Sequence, residues 1–352
     1  MVTGAHPIRG REVLVTGGLG FVGSNLSIRL AGLGASVTIV DALVSGCGGS
    51  LYNIAPIADR VRVIQRDIAE AQHFREAIHR SEIIFNLAGE IRHIHSMRFP
   101  ARDARLNAWA QLEFLEECAR SSPGARVVFA GTRQIFGAPR YLPVDENHPV
   151  APVDFNGVHK YAAMMYHLLY ARTGMLDTAV LNLTNVYGPR MALSIPGQGF
   201  LGNFVRKLST GVRLEVFGDG KQLRDPLFVE DAVDAFLAAG TASKLPSRVY
   251  NLGGPEPLEI GGIAQLASRI AGAEAPSYRS FPPEQKLIDI GSYHADRSRI
   301  RTELGWEPRV HLEEGLRRTL SFYSTELPHY LDPAAGPPQS GAGSAHMAKA
   351  AP

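Results

Sequence analysis

Short apolar runs recur along the first half of the chain, separated by stretches whose apolar positions return every three or four residues. The runs Glu12–Thr16 (EVLVT), 37–40 (VTIV), Val61–Ile64 (VRVI), 83–87 (IIFNL), 127–130 (VVFA) and 178–183 (TAVLNL) predict strands, with a crossover helix in each intervening stretch. Strand–helix alternation of this kind gives a parallel, doubly wound α/β sheet, with ligands beyond the strand C-termini. From about residue 188 the pattern changes to Pro- and Gly-rich connections. Short strands at 214–217 and 249–252 and helices opening near Val229 and Ile260 predict a smaller C-terminal α/β substrate lobe. The expected division is 11–187 for the first domain and 188–327 for the second lobe, partly interleaved with the first. Residues 328–352 have the Pro/Gly/Ala/Ser composition of a disordered tail.

Charge and cysteine content narrow the function classes. The 36 basic and 34 acidic residues leave a net charge of +2 spread along the chain, which gives no electrostatic case for nucleic acid or an anionic membrane. Cys47 and Cys118 stand far apart without metal-ligand spacing, so neither a disulfide framework nor a metal site is expected, and a reducing cytoplasm fits best. No apolar run approaches the ~20 residues of a membrane span, and the start lacks the apolar core of a secretory signal.

The stretch Gly17-Gly18-Leu19-Gly20-Phe21-Val22-Gly23 leaves the first strand and opens a helix. In that context glycines allow a tight turn and let a pyrophosphate approach the helix N-terminus, where the dipole favours anions. Asp41 ends the second strand about twenty residues on, where a carboxylate binds an adenosine ribose and repels a 2′-phosphate, favouring NAD over NADP. The domain is therefore read as Rossmann-type. Asp67, ending the third strand, either reaches the adenine or caps the following helix.

These stretches occur in order with RDIAE, FNLAGE, AGTRQIFG, FNGVHK, LTNVYGPR and LRDPLFVEDAVDA. Together they resemble the extended short-chain dehydrogenases/reductases, specifically the NAD-dependent epimerase/dehydratase family acting on nucleotide sugars, over residues 11–323. The resemblance implies a cofactor set of Gly17, Gly20, Phe21, Val22, Gly23, Asp41, Asp67, Ile68, Leu87 and Lys160. Lys160 would hold the nicotinamide ribose and supply positive potential, and the Thr132 hydroxyl would hydrogen-bond the sugar hydroxyl that is oxidised. Asn185 and Arg224 would contact the substrate diphosphate, the strand ending at Phe217 would read the nucleobase through its backbone, and Asp296 would lie near the nucleotide ribose. The helix opened by Gln198-Gly199-Phe200 would cover the nucleotide. Arg224 could instead pair with Asp225 or Glu230.

One position departs from the family. Asn156 stands where its tyrosine removes the hydroxyl proton, and an amide does not titrate near neutrality. NGVHK nonetheless resembles a subgroup commonly labelled UDP-glucose 4-epimerases. Candidate replacements after the fourth strand are Glu90, which matches an acid in related 4,6-dehydratases, and His93, which titrates in a suitable range. His159, one helical step round from Lys160, is expected to face away; Tyr141, Tyr187, Tyr161 and Tyr166 more simply pack. The expected activity is NAD-dependent epimerisation of a nucleotide sugar at carbon 4, with a UDP-sugar as substrate. A 4,6-dehydratase is the alternative, disfavoured because Arg133-Gln134 stand where its Asp-Glu pair usually follows Thr132. A non-catalytic NAD sensor is the alternative of another class. The resemblance also implies a homodimer through helices at about 102–120 and 155–173.

Overall fold

The computed structural model describes residues 6–195 and 199–331. Its centre is a seven-stranded parallel sheet. β1 (Glu12–Thr16) lies between β2 (Ser36–Val40) and β4 (Ile83–Asn86); β3 (Val61–Ile64) flanks β2, and β5 (Arg126–Thr132) and β6 (Asp177–Leu183) continue beyond β4. Strand order reverses between β1 and β4, and a crevice opens there beyond the strand C-termini.

The period-two alternation explains the two helical layers. Val13, Val15, Phe85 and Val128 face Leu26 and Leu30 of α1 (Phe21–Gly32) and Phe236 of the helix Val229–Thr241. Leu14, Ile84 and Val127 point the other way, onto Phe74, Ile78 of α2 (Arg75–Arg80) and Phe114 and Leu115. With both faces covered, β4 is buried at every residue, as a central parallel strand must be. Beyond β4 come two short helices, α3 (His93–Arg98) and α4 (Pro100–Ala104). A π-turn at Arg105–Trp109 joins α4 to α5 (Ala110–Ser121), and α6 (Phe155–Arg172) follows β5.

The strand expected at 249–252 in the second lobe forms at Val249–Asn251 and instead pairs in parallel with β6, extending the main sheet. Tyr250 and Leu252 pack into the first core, and Asn182 Nδ2 donates to Asn251 Oδ1 at 3.0 Å, which fixes this edge. The second lobe gathers the helices Gly199–Ser209, Ile260–Ile270 and Leu312–Leu331 around Phe204, Val205, Ile263, Leu316 and Tyr323. Gln198 lies outside the described residues. The last helix corrects the expected tail boundary: residues 328–331 are helical, and buried Tyr330 donates its hydroxyl to Asn53 Oδ1 at 2.8 Å. Tyr330 and Leu331 continue the helix's buried face, packing with the second core; the rest of that tail lies outside the described residues.

Candidate active site

The glycine turn is built so that backbone meets backbone. A Cβ at Gly23 would overlap the Gly17 carbonyl oxygen, and one at Gly17, whose φ is +65°, would come within 2.8 Å of the Leu87 and Ala88 backbone. Gly20 caps α1 without any side-chain hydrogen bond, so no side chain competes for the first-turn amides at Phe21, Val22 and Gly23. Asp41 accepts from Leu19 N at 3.1 Å and Leu43 N at 2.9 Å; burial nevertheless raises its carboxyl pKa. Gly17, Gly20, Asp41, Asp67, Ile68 and Leu87 line one cleft. Asp67 also caps the turn after β3, accepting from Ala69 N at 2.9 Å, which is the cap reading.

Farther along the crevice, Lys160 projects from α6 toward Gly89, whose φ is +153°; a Cβ there would sit 2.9 Å from Lys160 Nζ. The ammonium lies 5.5 Å from the Phe129 ring centroid and has no ion-pair partner among the described residues. Burial lowers its pKa to about 8, with Asp103 acting in the opposite sense. Thr132 ends β5, and its Oγ1 accepts from Gln134 N at 3.2 Å, leaving the hydroxyl proton free to donate.

From Thr132 a polar chain leads to His93. Gln134 Nε2 donates to Asp154 Oδ2 at 2.9 Å. Asp154 caps α6 by accepting from Gly157 N at 2.7 Å, and His93 Nδ1 stands 3.0 Å from the same Oδ2. That distance suits an ion pair, although the ring nitrogen is not aimed squarely at the oxygen. Burial pushes the Asp154 carboxyl up, but His93 and these hydrogen bonds outweigh it and hold the pKa below the usual range. The His93 side chain is 32% exposed, so the edge of the ring away from Asp154 can meet a ligand.

Asn156 is tied into the wall instead. It is 1% exposed; its backbone N donates to Ser96 Oγ at 3.1 Å, and its Nδ2 donates to the Glu90 carbonyl at 2.8 Å and to Asp103 Oδ2 at 3.0 Å. One amide thus joins the loop after β4 to α4. His159, turned inward, shares Asp103 through Nδ1 at 2.8 Å from Oδ1. The buried Glu90 carboxylate is surrounded by basic side chains: Arg92 Nε donates at 2.6 Å, His95 Nδ1 lies at 3.0 Å, and Arg102 lies 3.4 Å from Oε2. Tyr187 is buried against Phe228, Tyr161 and Tyr166 pack in the core layers, and Tyr141 is exposed and donates to Asp145.

At the lobe junction Arg224 donates to the carbonyls of Leu223 and Gly291 at 2.8 and 2.6 Å, and to neither Asp225 nor Glu230. Asp225 accepts from Thr184 Oγ1 and Ala295 N, while Glu230 pairs with Arg318. Asn185 Oδ1 is shielded from solvent with no hydrogen-bond partner. Phe217 ends a strand, Glu215–Phe217, paired with Ser277–Arg279. Asp296 accepts from Ser298 N at 2.7 Å, at the start of the helix Ser298–Leu304.

A family model described as the NAD dependent epimerase/dehydratase family matches residues 13–253. The chain belongs to that family. A UDP-glucose 4-epimerase of Mycolicibacterium smegmatis is 34% identical over 321 residues, spanning 89% of this chain and 98% of the relative. A dTDP-glucose 4,6-dehydratase of Streptomyces niveus is 31% identical, spanning 89% and 92%. A crystal structure of UDP-glucose 4-epimerase with UDP-glucose from Thermotoga maritima superposes with a TM-score of 0.81 at 30% identity, covering 90% of this chain and 99% of that one.

As a member of the NAD-dependent epimerase/dehydratase family the protein uses NAD, and the glycine cradle with Asp41 at the end of β2 fits a dinucleotide. Within that family frame, the residues that sequence reasoning passed over are Asp154, Asp103 and Gln134. Asp154 left a signal: it immediately precedes a predicted helix, the position of an N-cap. Nothing in the sequence announces that its other oxygen is shared with His93, 61 positions back, because that contact exists only once α3 and α6 are packed.

Proposed function

We propose that the protein is an NAD-dependent nucleotide-sugar epimerase acting at carbon 4, with His93 as proton acceptor in place of the missing tyrosine. The observation that carries this reading is that Asp154, held by the Gln134 side chain and by the first turn of α6, lies 3.0 Å from Nδ1 of a partly exposed imidazole, while Thr132, two residues before Gln134, keeps its hydroxyl proton to donate. The glycine turn and Asp41 would hold NAD, which would supply reversible hydride acceptance for the oxidation at carbon 4. Thr132 hydrogen-bonds the carbon-4 hydroxyl, and His93 Nε2 receives its proton while Asp154 steadies the imidazolium at Nδ1. Lys160 supplies positive potential beside the nicotinamide ribose. Asn156 is a positioning residue: it fixes the loop that carries His93 against α4. Asn185, Arg224, the strand ending at Phe217 and Asp296 bind the nucleotide, for which the relatives support a UDP-sugar. Where a dehydratase needs acids after Thr132, Arg133 and Gln134 supply none, so elimination is disfavoured.

The reading includes a cytoplasmic homodimer. Both cysteines are free, and Trp109, Val158, Met165 and Leu169 present exposed apolar surface on the π-turn and α6. Light scattering would give twice the chain mass, and Trp109→Glu would halve it. For the activity, the protein with NAD is incubated with UDP-, dTDP-, GDP- and CDP-sugars in deuterated water and the products are read by NMR. An epimerised sugar without deuterium at carbon 4 is expected. NAD binding without turnover of any sugar would favour the non-catalytic sensor and overturn the proposal.

A further inference from the structure

Arg133 follows Thr132 directly, one residue beyond the last pair of β5 and β6, Thr132 with Leu183. Its guanidinium lies 5.1 Å from the centroid of the Tyr293 ring. Its Nη1 is shielded from solvent and has no hydrogen-bond partner, and the Tyr293 hydroxyl is in the same condition. Two orphaned donors in one place are costly unless a ligand satisfies them.

No carboxylate of the described residues is within ion-pair distance of Arg133. The two nearby acids are committed elsewhere: Asp225 to Thr184 and Ala295 N, Asp154 to Gly157, Gln134 and His93. Arg224 is a second cation close enough for the two to disfavour each other's charge; burial first, then Arg133, lowers its pKa to about 9. Two guanidinium groups therefore share the junction, and Asp225, a carboxylate that acts on both, has its oxygens taken by Thr184 Oγ1 and Ala295 N. The diphosphate of a nucleotide sugar accounts for Arg224. It leaves Arg133, which adjoins the hydroxyl that meets the sugar.

We propose that Arg133 and Tyr293 form a carboxylate subsite, and that the sugar of the natural substrate carries an acid, as a nucleotide hexuronate does. This rests on the nucleotide-sugar reading above and names its substrate class. A planar guanidinium suits a carboxylate because two parallel N–H groups can meet both oxygens, and the phenol adds a third donor. The acidic pair of a dehydratase at 133 and 134 would repel such a sugar, whereas Arg133 and Gln134 do not.

The test is calorimetric titration of the NAD-loaded protein with UDP, UDP-glucose and UDP-glucuronate, which needs no turnover. UDP-glucuronate is expected to bind roughly 10- to 100-fold more tightly than UDP-glucose, the contribution of a charge-assisted pair. In Arg133→Met the two affinities converge, and in Tyr293→Phe the difference shrinks but survives. Equal binding by the unaltered protein overturns the subsite. So does an Arg133→Met variant that loses affinity equally for all three ligands, since the guanidinium would then serve the diphosphate. If none of the three binds, the UDP-sugar reading fails as well, an outcome distinct from binding without preference.

Discussion

The two ends of the crevice are built from different materials. At the nucleotide end the working surface is backbone: a glycine turn, a helix N-terminus left without a side-chain cap, and Asp41 held by two amides. At the end proposed to take the sugar it is side chains, with Thr132, Gln134, Asp154 and His93 drawn from β5, the turn after it, the start of α6 and α3. A backbone surface tolerates almost no change at its glycines. A side-chain network can lose one member, such as the tyrosine, and recruit another.

The largest effect is expected where the backbone surface is struck. Gly23→Ala places a methyl onto the Gly17 carbonyl, and the strand-to-helix turn must open to admit it. NAD affinity should fall by more than about 100-fold, with about 2 kcal/mol of stability lost, an overpacking cost. Titration with NAD and a denaturant melt read the two quantities; a variant that binds NAD normally would show that the cradle is looser than its contacts.

Next comes the proton acceptor. His93→Gln keeps a polar side chain but cannot titrate, and kcat should fall by about 10²- to 10⁴-fold, the usual contribution of a positioned base, with NAD affinity nearly unchanged. Retention of activity would return the role to another group, such as Asp103-bound His159. Asn156→Ala sharpens the contrast. It strips the donors from Asp103 and the Glu90 carbonyl, so about 1 to 3 kcal/mol of stability should be lost, while kcat falls less than in His93→Gln. Asn156→Tyr should not restore a base, because the site is sealed and a phenol would force the loop off α4.

The same contrast explains what could be read from the sequence. The glycine spacing and Asp41 are local: a few residues at a strand end specify both turn and ligand, and the order of strands follows from alternation. Asn156 was conspicuous as a departure, yet its contacts to Ser96, Glu90 and Asp103 span α3, the loop after β4 and α4, so its place in the wall appears only in three dimensions. The strand Val249–Asn251 likewise reads as part of the second lobe, because short strands after a change of composition carry no address; only pairing with β6 supplies one. Glu90 reads in the sequence as an available acid, and its neighbours Arg92, His95 and Arg102 lie on residues that in sequence look like an ordinary basic loop.

The smallest effect concerns Lys160, which belongs to both ends. Burial brings its pKa to about 8, against about 10.4 for an exposed lysine, so between these values the unfolded chain binds the extra proton. Stability contributed by this group must therefore rise with pH across that window, because the cost of burying a charged ammonium disappears as the folded protein releases the proton. Activity should move the other way, since the uncharged amine supplies no positive potential: the rate should decline as pH passes about 8. Other groups titrate in the same range, so the informative quantity is the difference from Lys160→Met. Without NAD, the stability of the unaltered protein should gain on the variant between pH 8 and 10, by on the order of 2 kcal/mol. Parallel melting curves would mean that Nζ is hydrated in the crevice, and the decline in rate above pH 8 would then need another titrating group.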